Sequence, residues 1–104
     1  MVDPLQALAS PRRREILRMV WSDELPAGDI AKAFRVSWPA ISQNLRVLQD
    51  AGLVRQRREG TSRLYRADRA ALRPFESYLR KMWDRKIDRL RLLAEAEERD
   101  RSQR

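Results

Sequence analysis

The stretch VSWPAISQNLRVLQDAGLV, residues 36–54, decides the fold of this chain. Ser37 is a favourable N-cap residue, and Gly52 stands where the end of a helix favours a left-handed backbone. On a wheel of about 100° per residue, one face of this segment is apolar. The side chains on that face are Ile41, Leu45 and Leu48. The pattern predicts an amphipathic helix over about 38–51.

The opposite face of this helix is small, polar and able to form hydrogen bonds. Pro39, Gln43, Arg46 and Asp50 lie there, with Ser42 on their flank. Gln pairs with adenine and Arg with guanine in a DNA major groove, and Ser contacts bases or phosphates. Every surface helix also has a polar outside, so this face alone leaves both interpretations open.

Two positions of the same helix allow two interpretations each. Trp38 lies about 60° from the centre of the apolar face, so it either packs under the start of the helix or lies against a sugar or a thymine methyl group. Asn44 lies nearer the apolar side than the centre of the exposed face. Its amide is therefore as well placed for the protein backbone as for DNA.

The segments on either side of this helix predict a winged helix-turn-helix. Asp3-Pro4 and Ser10-Pro11 are helix starts, and short helices are expected near 4–9, 11–21 and 27–34. A turn at 35–37 leads into the 38–51 helix. After Gly52 the pattern alternates, with Gly60 at a turn, which predicts a β-hairpin wing over about 53–67. The predicted class is mainly α with a small hairpin, in the order α-α-α-α-β-β-α.

The predicted wing is strongly basic. Between residues 53 and 68, five arginines stand against Glu59 and Asp68. Those bordering the Gly60 turn are Arg57, Arg58 and Arg63. They are the candidates for contact with phosphates or a minor groove; a solvated basic edge that discourages strand aggregation is the alternative. The arginines at 12–14 are either further phosphate contacts or exposed charges at a helix end.

Composition narrows the range of functions. The chain has 104 residues, a formal net charge of +8, and neither cysteine nor histidine. The charge indicates an anionic partner. Without thiols and imidazoles, disulfides, soft-metal sites and the usual general base are excluded, and we expect no enzyme, metal or cofactor. No run approaches the roughly 18 apolar residues of a membrane span, and the first residues do not resemble a signal peptide, so we expect a cytoplasmic protein.

The C-terminal region, 69–104, predicts a long helix from about Pro74 to about residue 98, after a turn or kink at 69–73. Its apolar stripe is longer than the small core can cover, which predicts a twofold dimer through this helix and the first one. Folding back of its first part onto the same domain is the alternative for that part. The predicted interface consists of Leu5, Leu8, Leu79, Met82, Trp83, Ile87, Leu90 and Leu93. Residues 1–68 would then be the DNA-binding part of one domain.

The segment VSWPAISQNLRVLQDAGLVRQRREGTSRLYRAD resembles the recognition helix and wing of the ArsR (arsenic-repressor) family of bacterial winged-helix repressors, and the likeness extends over roughly residues 5–68. It implies a homodimeric repressor that binds a palindromic operator in double-stranded DNA. The residues that it places at the DNA are Ser37, Trp38, Ser42, Gln43, Asn44 and Arg46.

The chain departs from the family pattern at the inducer sites. Where metal-sensing members carry a cysteine pair, this chain has LPAG at 25–28, and it has no His in its last helix. It therefore resembles the metal-independent, autorepressor-like branch, including a WDRK segment at 83–86. A winged-helix module that binds protein through Met82, Trp83 and Ile87 is the alternative function.

Overall fold

The structure, a computed structural model, describes residues 2–84 and 92–98. The α-helices with assigned bounds are α1 Pro4–Ala7, α2 Pro11–Met19, α3 Ala27–Phe34, α4 Trp38–Asp50, α5 Arg69–Leu72 and α6 Glu76–Asp84. The strands are β1 Leu25–Pro26, β2 Val54–Glu59 and β3 Ser62–Ala67. A 3₁₀ turn spans Arg73–Phe75, and residues 92–98 are helical. This arrangement confirms the predicted winged helix-turn-helix.

Side-chain caps begin the helices where the sequence predicts them. The carboxylate of Asp3 accepts from the Leu5 amide, and Ser10 Oγ accepts from the Arg13 amide. Ser37 Oγ accepts from the amide of Ala40 at the start of α4. Each of these three helices has Pro in its first turn. Because the first amides of a helix have no partner within it, a cap followed by Pro fixes where the helix starts.

The core lies between α2, α3, α4 and the base of the hairpin. Its large side chains below 2% exposure are Ile16, Leu17, Val20, Ile30, Ile41, Leu45, Leu48, Leu53, Leu72 and Leu79. The apolar face predicted for α4 is therefore buried. The helices pack through their apolar stripes, which leaves their polar faces outside.

The sheet has one strand that the sequence did not reveal. Strand order is β1-β3-β2, all antiparallel, and β1 pairs Leu25 with Tyr65 and Pro26 with Leu64. Two residues that include Pro give no alternating pattern, so only the arrival of β3 beside them makes them a strand. Pro is tolerated here because β1 lies at the sheet edge.

The long C-terminal helix starts later than predicted, and the predicted turn at 69–73 contains the short helix α5. Helix α5 and the 3₁₀ turn precede α6, which begins at Glu76 rather than at Pro74. Proline has no amide hydrogen and opposes a continuous helix, so it lies in the tighter 3₁₀ turn. Ile87 and Leu90, both predicted at a dimer interface, lie outside the described residues.

The other residues of the predicted dimer interface differ in how far they are buried in the single chain. Leu8 and Leu79 are 2% and 0% exposed, so they pack inside the single chain. Trp83 is half-buried; its ring packs edge-on against Trp21 at 5.3 Å. Leu5 and Leu93 are each 64% exposed. A sequence stripe shows which side chains are apolar, but not which of them the domain itself covers. None of the helices in the described ranges is long and apolar enough to cross a membrane.

Candidate nucleic-acid interface

A tight turn sets α4 against α3. Arg35 adopts a left-handed backbone conformation with φ 53°, and Ser37 then caps α4. The polar face of α4 projects away from the core. Its exposed side chains include Pro39, Ser42, Gln43, Arg46 and Asp50, together with the Ser37 cap. The arrangement presents hydrogen-bonding groups over the first turns of a helix, the part that enters a major groove in helix-turn-helix proteins.

Trp38 is only partly packed against the protein. The indole is 56% exposed, yet an added Cβ at Gly28 would lie only 3.5 Å from its ring. One side of the ring therefore covers Gly28 of α3, and the other side is open to solvent. The small residue at 28 allows this close approach between the two helices.

Asn44 makes its contacts inside the protein. Its Nδ2 donates to the carbonyl of Ala40 at 2.8 Å, and its Oδ1 accepts from Arg13 Nη1 at 3.4 Å. The side chain is half-buried between α4 and the start of α2. Asn44, one of the positions predicted at the DNA, is therefore hydrogen-bonded to a residue of another helix.

Two of the arginines at 12–14 also have internal roles that sequence reasoning missed. Arg13 donates to the carbonyls of Ala7 and Gln6, and burial lowers the pKa of its guanidinium. Arg14 is only 3% exposed and donates to the carbonyl of Leu8 at 2.6 Å. Both therefore bond to the C-terminal end of α1. The short α1 and its nearby carbonyls are the signal that could have identified these contacts.

The wing presents two chemically different faces. Gly60 takes φ 62° in its turn, and the strand register places Arg58 opposite Arg63 and Gln56 opposite Tyr65. Alternate residues of a strand share a face, so all four side chains lie on one face. Gln49 of α4 donates to Gln56 at 3.5 Å, which identifies this face as the one turned toward α4.

Among the described residues, Arg58 and Arg63 have no acidic neighbour on the face that they share. Both are exposed, and within the described ranges neither takes part in a hydrogen bond or an ion pair. Like charges directly opposite each other in a sheet are destabilising. The pair is therefore a site that an anion such as a phosphate would stabilise.

The other face of the wing is neutralised by acids. Arg57 donates to both carboxylate oxygens of Glu24, and its Nη2 lies 3.1 Å from Glu59. Arg55 pairs with Asp68 at 3.0 Å. The hydrogen bond from Arg57 holds the pKa of Glu24 below its usual value, so this carboxylate stays charged. Arg57, predicted with Arg58 and Arg63, therefore lies on a different face with its charge already paired.

The two described ranges hold no group of three or more His, Cys, Asp or Glu side chains that could bind a metal ion.

Comparison with known proteins places this geometry among transcriptional regulators. Residues 10–56 match the family model described as bacterial regulatory protein, arsR family. The chain is 39% identical over 82 residues to the HTH-type transcriptional regulator Rv2034 of Mycobacterium tuberculosis, covering 79% of this chain and 77% of that protein. It is 37% identical over 60 residues to the transcriptional repressor SdpR of Bacillus subtilis, covering 58% of this chain and 67% of that one.

A solved structure agrees with these matches. The homodimeric winged helix-turn-helix DNA-binding domain Mb0332 of Mycobacterium bovis superposes with a TM-score of 0.67 at 34% identity. The match covers 79% of this chain and 76% of that one. Fold and sequence therefore point to the same group of regulators.

Proposed function

Because the chain belongs to the ArsR family, and is a DNA-binding transcriptional regulator rather than an enzyme, we propose that it is a homodimeric repressor of a palindromic operator, including one at its own gene. In this proposal residues 1–68 bind DNA and 69–104 serve dimerisation, both within one domain. SdpR, named as a transcriptional repressor, supports the direction of regulation.

One observation supports the proposal most: the wing face that carries Arg58 and Arg63 is turned toward α4, and the polar face of α4 is exposed. In the described structure, acids accompany the arginines on the far side of the wing but not this pair. Uncompensated positive charge beside an exposed hydrogen-bonding helix is the combination that double-stranded DNA requires.

The side chains divide into roles under this proposal. Gln43 and Arg46 read base edges in the major groove. Ser37, Pro39 and Ser42 contact phosphates, sugars or neighbouring bases, and the open side of Trp38 lies against the DNA. Arg58 and Arg63 bind phosphates, whereas Arg57 supports the wing through Glu24.

Dimerisation places two such surfaces on one DNA molecule. Leu5 and Leu93 are exposed large apolar side chains, and Met82 and Trp83 remain partly accessible. Burying them against the same residues of a second copy gives twofold symmetry. A twofold dimer suits a palindrome whose half-sites lie about 34–36 Å apart, one turn of DNA.

The residue composition, rather than the fold, supports metal independence as part of the proposal. The sequence contains no cysteine or histidine, the ligands that soft and borderline metals prefer. We therefore expect DNA affinity to be unchanged by added Zn²⁺ or by a chelator. A change of tenfold or more with Zn²⁺ would contradict this part of the proposal.

The decisive experiment is footprinting of the purified protein on the DNA upstream of its own gene. The expected result is a protected imperfect palindrome, and a reporter fused to that promoter should be more active when the gene is deleted. For contact with about 6–10 phosphates, log affinity should fall against log salt with a slope of about 0.9 per phosphate. A nearly flat salt dependence, or lower reporter activity after deletion, would contradict the proposal.

Base reading is tested separately from phosphate binding. Gln43→Ala and Arg46→Ala should each relax base preference at one position per half-site, at a cost of about 1–3 kcal/mol. Affinities for operators mutated one base pair at a time measure this. Uniform loss of affinity for every sequence would show that neither side chain reads a base.

A further inference from the structure

Arg13, a residue of α2, forms hydrogen bonds with both α1 and α4. Its Nε donates to the Ala7 carbonyl at 2.7 Å and its Nη2 to the Gln6 carbonyl at 3.1 Å. Its Nη1 donates to Asn44 Oδ1 at 3.4 Å. One planar guanidinium, carried by the first turn of α2, therefore holds the last turn of α1 and contacts the middle of α4.

Asn44 completes this connection on the side of α4. Its Nδ2 donates to the Ala40 carbonyl one turn earlier at 2.8 Å. With both ends of its amide engaged, the side chain is fixed and presents its oxygen to Arg13. The Ala40 turn lies beside the Ser37 cap and the exposed residues of the first half of α4. A change at Arg13 would therefore reach the end of α4 that faces DNA.

We propose that Arg13 is a positioning residue of the DNA interface, which fixes the orientation of α4 relative to α1 through Asn44. The proposal rests on the proposed function, because it takes α4 as the base-reading helix and α1 as part of the dimer contact. If Leu5 of α1 is held by a second subunit, the Arg13 link makes the relative orientation of the two α4 helices depend on that contact. DNA affinity then depends on a side chain that touches no DNA.

A direct phosphate contact is the competing role for Arg13, and the two roles respond differently to substitution. Lys keeps the charge, but its single ammonium group cannot reproduce the planar fork that spans three acceptors. A positioning role predicts that Arg13→Lys and Arg13→Gln both weaken operator binding by about tenfold. It also predicts that the slope of log affinity against log salt stays at the wild-type value. A phosphate contact predicts that Lys preserves affinity and that Gln reduces the slope by about 0.9 per site.

The link to Asn44 is tested by a double-mutant cycle on the same operator fragment. Asn44→Ala should weaken binding, and Arg13→Gln should cost much less in that background than in wild type, because the shared contact is already lost. Independent, additive losses would refute the proposal. Arg55→Gln is the charge-matched control: Arg55 is an exposed residue on the far face of the wing that pairs with Asp68, and its substitution should leave affinity within about twofold.

Folding and function are separated by measuring thermal unfolding and dimerisation of each variant. If Arg13→Gln fails to fold, Arg13→Lys and Asn44→Ala still decide the outcome through their salt slopes and affinities. Wild-type protein that fails to bind its operator would refute the proposed function. Wild-type binding combined with full affinity in Arg13→Lys, or with a reduced slope in Arg13→Gln, would refute only the role assigned to Arg13.

Discussion

The two faces of the wing make a quantitative prediction about which arginines bind DNA. Arg58 and Arg63 lie on the face turned toward α4, without an acidic partner in the described structure, whereas Arg57 lies on the opposite face between Glu24 and Glu59. Substitution of any of these arginines by Gln changes the net charge by the same amount. Only the first two substitutions should remove a phosphate contact.

The magnitude follows from counterion release. Each lost phosphate contact lowers the slope of log affinity against log salt by about 0.9, and a dimer loses two contacts. Arg58→Gln or Arg63→Gln should therefore reduce the slope by about 1.8. Between 50 and 200 mM salt, such a variant should lose about 12-fold less affinity than wild type does. Arg57→Gln should keep the wild-type slope.

The assay is a titration of a fluorescently labelled operator duplex at several salt concentrations, read as anisotropy. Thermal unfolding adds a second readout. Removing either member of the Arg58–Arg63 pair relieves repulsion between facing charges, so the free protein should be as stable as wild type or more stable, by at most about 1 kcal/mol. Weaker binding with undiminished stability separates a DNA contact from a structural role. Equal loss of slope in all three variants would refute the assignment of the two faces.

Three further predictions concern stability. Leu48→Ala removes a side chain that is 0% exposed and should lower the free energy of unfolding in urea by about 2–5 kcal/mol; a cost below 1 kcal/mol would contradict its place in the core. Trp83→Phe keeps the ring against Trp21 but removes the hydrogen bond from Nε1 to the Arg14 carbonyl at 3.1 Å. It should lower the free energy of unfolding by about 1 kcal/mol. An unchanged free energy of unfolding would contradict a stabilising role for that hydrogen bond. The Ala71 amide and then Arg55 lower the pKa of Asp68, so its charged form stabilises the fold above its unfolded pKa of about 3.9. This contribution is lost as the pH falls through the lower pKa of Asp68 in the folded state. The difference in free energy of unfolding between wild type and Asp68→Asn should therefore shrink on acidification. A difference that grows would contradict the predicted direction of the pKa shift.

Local rules were sufficient for the helices and the hairpin. Caps followed by Pro fix the starts of α1, α2 and α4, and Gly60 with its alternating flanks fixes the hairpin. The apolar stripe of α4 identifies its buried face. These features depend on residues within a few positions of one another, which is why they can be predicted from the sequence.

Contacts between distant segments were beyond sequence reasoning. Strand β1 exists because β3 lies beside Leu25 and Pro26. The pairing of the Arg57 charge depends on Glu24, 33 positions away in the chain. Likewise Asn44 had two open interpretations, and Arg13, 31 positions away, supplies the contact that engages it.

The sequence by itself determined the class of this protein: a basic winged helix with a polar recognition face and no thiol or imidazole. Helical and strand periods and helix caps depend on neighbouring residues, and net charge is a sum over the chain. They can therefore be recognised without the tertiary structure. Only the tertiary structure decided which charges are free and which are already paired, and which apolar residues of α6 belong to the monomer core. An ion pair or a buried contact depends on where the fold brings its two partners, and no single segment carries that information.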